Sequence, residues 1–176
     1  MVASARVPEA SSEATRHVMQ ANRSKNTSPE LRVRAALREA GLTGYRLHWK
    51  GAPGRPDVCF PGRRVAIQIN GCFWHRCPHC DPSRPKTHAE FWQEKFARNR
   101  ERDARNARLM LDEGWTLLVI WECQIKRDRL AATMARVVAE VRAAGERRLP
   151  PHVVDVGGVP AWRLRAARAR RRGRRS

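Results

Sequence analysis

Acidic residues are scarce in this chain of 176 residues: 17 Asp and Glu stand against 36 Lys and Arg, a formal charge of +19. That imbalance favours a polyanion as partner, nucleic acid before anionic membrane. Long apolar runs are also missing. No stretch approaches the roughly 18 apolar residues of a membrane span, and the start, MVASARVPEASSEATRH, lacks the apolar middle of a secretory signal. The expectation is a soluble intracellular protein. The five cysteines are an odd number and three fall within 72–80, which suits a metal in a reducing compartment better than a disulfide framework. There is no internal repeat, and the length fits one core.

Charge is concentrated at one end. From Ala161 to Ser176, AWRLRAARARRRGRRS, eight of sixteen residues are arginine and none is acidic; such a tail is either a solubilising extension or a phosphate-binding arm whose hold weakens with salt. Residues 1–26 show no sustained period and are expected to form a flexible arm. Residues 27–145 then carry the folded domain, and 146–176 a C-terminal extension.

Within the domain, Thr27-Ser-Pro-Glu30 opens a helix as a capping box, with Val33, Ala36, Leu37 and Ala40 on its apolar side and Gly41 after it. Residues 45–49 alternate as a strand. Asp57–Phe60 and Val65–Ile69, joined by Pro61-Gly62, predict an antiparallel hairpin. A long helix is predicted over 89–113, its buried side carrying Phe91, Phe96, Leu109 and Met110. Trp115–Trp121 is an apolar run of the length of a buried strand, and a last helix follows over 126–144. This order predicts an α/β fold: a mixed sheet covered by helices.

The stretch NGCFWHRCPHC, Asn70–Cys80, holds the chemistry. Cys72, Cys77 and Cys80 put three soft ligands within reach of one ion, and the apolar strand ends in Trp-Glu-Cys123. Four thiolates fit tetrahedral Zn²⁺ in a closed, structural site. His79 is an alternative to Cys77 as a ligand, whereas Cys59 alternates into the hairpin and reads as core. His75, between ligands, would be held in place by their coordination, as a catalytic imidazole needs.

Asp57, in Gly54-Arg-Pro-Asp57, lies at the mouth of the hairpin across from the chain leading to His75. It could hold Mg²⁺ at a phosphodiester while His75 deprotonates water. No other acidic residue occurs between Asp57 and Asp81, so a second carboxylate from the hairpin is excluded. Asp103 on the long helix either orients His75 or joins surface ion pairs; Glu30 either enters the same cleft or only caps its helix.

These residues recur in a recognisable order. TSPE at 27–30, GRPD at 54–57, NGCFWHRCP at 70–78, RPKTHAEFWQEKFARNRERD at 84–103 and GWTLLVIWEC at 114–123 resemble the very short patch repair (Vsr) mismatch endonucleases. The resemblance spans about residues 15–140 and leaves out the arginine-rich tail. It implies a restriction-endonuclease-like fold with a structural zinc and an Mg²⁺-dependent nick 5′ of the thymine in T:G mispairs left by deamination of 5-methylcytosine. By the same resemblance, Asp57 binds the metal together with the backbone carbonyl of Ile69, His75 is the catalytic histidine, and Asp103 and Glu30 are the accompanying carboxylates. Well-known members carry threonine and histidine where this chain has Ile69 and Asn70. Phe73, Trp74 and Trp92 match aromatics that enter the duplex from the major groove, and Met19 matches a residue of the arm in the minor groove. The implied partner is duplex DNA with a T:G mispair, bound by a monomer in the cytoplasm at the nucleoid, with downstream repair proteins. Two rivals are a sequence-specific double-strand endonuclease of this fold and a non-catalytic, zinc-stabilised DNA-binding module.

Overall fold

The structure is a computed structural model that describes residues 25–146 and 151–157. Its centre is a five-stranded mixed sheet in the order β1-β2-β3-β4-β5, formed by Arg46–Leu47, Val58–Phe60, Val65–Asn70, Thr116–Trp121 and Val153–Asp155. The first three strands pair antiparallel; β3, β4 and β5 run parallel. The expected hairpin is present, with Val58 opposite Ile67, and its turn is a 3-10 turn at Pro61–Arg63 closed by Arg64 in the left-handed region.

Helices cover both faces, which the alternation of side chains along the strands divides. Val65 and Ile67 of β3, with Leu118 and Ile120 of β4, join Val33 and Leu37 of helix α1 (Ser28–Glu39) and Met134, Val137 and Val141 of helix α4 (Leu130–Glu146). On the other face, Ala66, Leu117, Val119 and Trp121 pack with Met110 of helix α3 (Ala89–Asp112), Trp115, Cys59 and three of the clustered cysteines. Cys59 is fully buried there, as expected of a core residue. Helix α1 begins as predicted: the Thr27 side chain accepts from Glu30 N–H, and Glu30 reaches back to Thr27. No helix among the described residues is long and apolar enough to cross a membrane.

Four expectations need correction. The strand expected at 45–49 is only two residues long, because His48 takes a left-handed backbone (φ 46°) that turns the chain out of the ladder. Leu109 is 44% exposed while its neighbour Met110 is buried, since consecutive helical residues lie about 100° apart and only one can face the sheet. The last helix starts at Leu130, after a 3-10 turn at Glu122–Ile125. Lastly, β5 lies beyond residue 145 and extends the sheet along β4. Its run HVVDV, between Pro-Pro and Gly-Gly, carries a strand signal of its own.

Candidate active site and metal centre

Strands β3 and β4 are parallel neighbours, so their carboxyl ends open on the same edge, a usual place for a site in such sheets. Directly after β3, helix α2 (Cys72–His75) makes a single turn. It starts with a cysteine and ends with a histidine, and each serves a different cluster. Phe73 and Trp74 therefore stand on a helix.

On one side, Cys72, Cys77, Cys80 and Cys123 bring their sulfurs within 4.8 Å of one another. Cys77 Sγ lies 3.6 Å from Cys123 Sγ, and none of the five cysteines is in a disulfide. Backbone N–H groups of Cys123 and His79 donate to Cys72 Sγ (3.3 Å) and Cys77 Sγ (3.4 Å), bonds that favour thiolate. Burial, and then the adjacent sulfurs, push the Cys72 thiol well up; such a crowded set ionises readily only around a cation. Four soft donors in this arrangement fit a structural Zn²⁺. His79 points elsewhere: its Nε2 pairs with Asp155 Oδ1 at 2.9 Å, and Asp155 also accepts from Trp121 Nε1 (3.1 Å) and Gly157 N–H (3.1 Å). The fourth sulfur is thus Cys77, and His79 ties β5 to the cysteine loop.

On the other side stand the carboxylates and imidazoles. His75 Nδ1 is 2.5 Å from Asp103 Oδ2 on helix α3. Helix α2 is braced from two more directions: Glu122 Oε2 accepts from Cys72 N–H (3.3 Å), and Asn99 Nδ2 donates to the Trp74 carbonyl (2.9 Å). Asp57 is delivered by a loop that turns through left-handed Gly54 and Arg55. A Cβ at Gly54 would sit 2.7 Å from Asn106 Nδ2, so only glycine lets this loop lie so close to α3. Asp57 Oδ2 accepts from Ile69 N–H at 2.7 Å, which sets the carboxylate beside the end of β3. Burial is the main cause that raises the Asp57 carboxyl to about 6; Glu30 adds to it, while the Ile69 N–H, His48 and His75 act against it. A half-buried carboxyl crowded by a second one is what a cation site looks like to a proton.

Glu30 belongs to both its cap and this cleft. Its carboxylate accepts from Thr27 Oγ1 (2.8 Å) and Asn26 N–H (3.0 Å), yet it lies, with His48, in one group of potential metal ligands around Asp57. Asn70 is 3% exposed and its Oδ1 makes no hydrogen bond. Beside His75, the rings of Phe73, Trp74, Trp92 and Phe96 form a cluster, with Phe73 5.0 Å from Trp74 and 5.5 Å from Trp92. Lys95 Nζ stands 5.2 Å from both tryptophan rings. A groove of about 510 Å³ runs along α3 there, lined by Phe91, Lys95, Asn99 and the guanidinium groups of Arg98, Arg102 and Arg105, among others.

The structure thus brings together Glu30, Asp57, Ile69, His75 and Asp103, and separately the four cysteines. Met19 and the arginine-rich tail lie outside the described residues. Sequence reasoning missed His48, Glu122, Asn99 and Asp155. Only Asp155 had a signal, as the one polar residue inside an apolar run; the others act through geometry that no spacing announces.

Residues 10–81 match the family model described as DNA mismatch endonuclease Vsr. The chain is 42% identical over 127 residues to the Type II nicking enzyme V.XorIIP of Xanthomonas oryzae pv. oryzae, covering 72% of this chain and 91% of that protein. It is 39% identical over 122 residues to the Type II nicking enzyme V.NaeI of Lentzea aerocolonigenes (66% and 72%). To the DNA mismatch endonuclease Vsr of Escherichia coli it is 38% identical over 114 residues (64% and 72%). With a mixed α/β sheet of the restriction-endonuclease-like kind and a four-cysteine centre in place, the chain belongs to the Vsr family of DNA mismatch endonucleases.

Proposed function

We propose that this endonuclease nicks one strand on the 5′ side of the thymine in T:G mispairs, using Mg²⁺, and so starts very short patch repair. The observation that carries the reading is the His75–Asp103 pair standing near a half-buried Asp57 whose carboxyl it acts on. The relatives V.XorIIP and V.NaeI are nicking enzymes by name, which supports cleavage of a single strand here.

In this reading Asp103 accepts the Nδ1 proton of His75, which leaves Nε2 bare as the acceptor for a proton from water. Asp57, pinned by Ile69 N–H, and the Ile69 carbonyl would hold Mg²⁺, which supplies Lewis acidity and charge compensation at the scissile phosphate. An amide at position 70 has no basic nitrogen, so a proton relay through that position is not available to this chain. Glu30 keeps negative charge at the cleft and holds the start of helix α1.

Phe73, Trp74 and Trp92 would enter the duplex beside the mispair, aided by Met19 from the N-terminal arm. Insertion costs the DNA a few kcal/mol of stacking per step, and less at a weakened pair, so deformability contributes to lesion choice. Trp92 is only 9% exposed, and it has to leave the aromatic cluster to reach a base step. The cations along α3 and in the tail supply phosphate contacts. The protein would act as a monomer on cytoplasmic, nucleoid DNA and hand the nick to downstream repair proteins.

The test is single-turnover cleavage of duplexes carrying each mismatch in several flanking contexts. Nicking confined to the thymine strand of T:G, and dependent on Mg²⁺, is expected. Cutting of both strands in matched DNA would instead support a sequence-specific endonuclease, and tight binding without cleavage a DNA-binding module.

A further inference from the structure

The mechanism above leaves one half-buried imidazole unused. His48 lies between the two carboxylates of the cleft, with Nε2 3.6 Å from Glu30 Oε2 and Nδ1 3.8 Å from Asp57 Oδ1. Its Nε2 is buried and makes no hydrogen bond. To put the ring there, the chain leaves strand β1 after two residues and adopts φ 46° at position 48. A non-glycine residue in that region costs about 1 kcal/mol or more, and the ring's position between two acids is what the turn achieves.

The other bonds to these acids show what the ring adds. Glu30 Oε1 accepts from Thr27 Oγ1 and N–H, and Oε2 accepts from Asn26 N–H. Asp57 Oδ2 accepts from Ile69 N–H. That leaves Asp57 Oδ1, whose described neighbour in the cleft is His48. One rigid ring therefore spans from the start of helix α1 to the free oxygen of the carboxylate assigned to the metal.

We propose that His48 is a positioning residue of the active site: its ring holds Glu30 and Asp57 apart and fixes the direction in which Asp57 Oδ1 faces the metal. This rests on the assignment of Asp57 as an Mg²⁺ ligand. The same ring links the metal carboxylate to the backbone at Asn26, through the Glu30 oxygen that both contact. The geometry of the chain just ahead of helix α1 is thereby felt at Asp57.

Two substitutions separate this role from a structural one. His48→Gly removes the ring and accepts the positive φ without strain. His48→Asn also tolerates that backbone and places an amide nitrogen near the position of Nδ1, keeping a donor toward Asp57. Both full-length, zinc-loaded variants are assayed by single-turnover nicking of a T:G duplex over a Mg²⁺ series, with DNA affinity measured in the absence of Mg²⁺. His48→Gly should raise the Mg²⁺ concentration for half-maximal rate about tenfold, the low end of what losing a partner of a metal ligand costs, and leave DNA affinity unchanged. His48→Asn should recover much of that loss. Amide exchange at Asn26 should also be faster in His48→Gly than in the wild type. A wild-type Mg²⁺ dependence in His48→Gly would overturn the proposal, as would rate losses in both variants that only follow their thermal stability. A wild-type protein that nicks nothing with Mg²⁺ would remove the metal assignment first and this inference with it, a result visible before any variant is made.

Discussion

The four sulfurs of the cysteine centre sit close together, two of them receiving backbone N–H bonds, whereas the acids and imidazoles a helical turn away are held by several elements and keep polar atoms without hydrogen bonds. His48 Nε2 and Asp103 Oδ1 are two of them. Helix α2 joins the regions, its first residue serving the sulfurs and its last the acid–imidazole cleft. The difference teaches a division of work. A saturated set of like donors binds one ion for good and adds to stability. A mixed set with unfilled hydrogen-bonding capacity stays costly until metal, water and phosphate arrive, and is suited to chemistry.

Breaking the sulfur side should have the largest effect. Cys123→Ala should lose zinc and with it cooperative unfolding, because the ion ties the α2 loop to the end of β4; structural zinc sites carry apparent binding free energies of about 10 kcal/mol or more. Metal analysis and denaturant unfolding of the purified variant check this. Full zinc content with unchanged unfolding would show that three sulfurs suffice.

Substitution on the other side should leave the fold intact. Asp57→Asn should retain zinc, bind T:G DNA and cleave about 100-fold or more slowly, the scale for loss of one preorganised electrostatic contact. Raised Mg²⁺ should restore part of the rate by mass action. Its stability should change in the opposite sense to its activity. Burial raises this carboxyl from 3.8 to about 6, so the folded protein holds the proton more tightly than the unfolded chain does. The stability this carries is complete below about pH 4 and is lost as pH rises through about 6, to a total of about 3 kcal/mol at most. In Mg²⁺-free buffer Asp57→Asn should therefore gain on the wild type between pH 4 and 6 and keep the advantage above. Parallel stability curves would contradict the strained-acid account.

The smallest effect on chemistry should come from outside both regions. Removing 161–176, with its eight arginines, should weaken binding to matched and mismatched duplexes alike and flatten the salt dependence. Binding titrations at several salt concentrations measure both. A selective loss of T:G preference would mean that the tail senses the lesion.

Much of the fold was legible because it rests on local signals. The capping box at Thr27–Glu30, the hairpin and the apolar run ending at Trp121 each carry a period or turn chemistry that tertiary contacts did not override. The cysteine spacing was equally direct, although only geometry could choose Cys77 over His79, since His79 is drawn away by an aspartate 76 residues distant. His48 was illegible for a different reason. Its neighbours alternate as a strand, and nothing local predicts that the chain turns left-handed there to face acids nine and eighteen residues away. Leu109 and Met110 were similarly undecidable, because adjacent apolar residues do not say which of them faces the sheet.

The central claim is that His75, set by Asp103 and held by the cysteine centre, takes the proton from water. Single-turnover nicking of a T:G duplex by His75→Ala, with zinc content measured on the same sample, tests it most directly. The expected result is full zinc, unaltered DNA affinity and a rate lower by about 100-fold or more at every Mg²⁺ concentration, because the metal cannot replace a missing proton acceptor. A zinc-loaded His75→Ala that cleaves near the wild-type rate would contradict the account and pass the role of base to another group in the cleft.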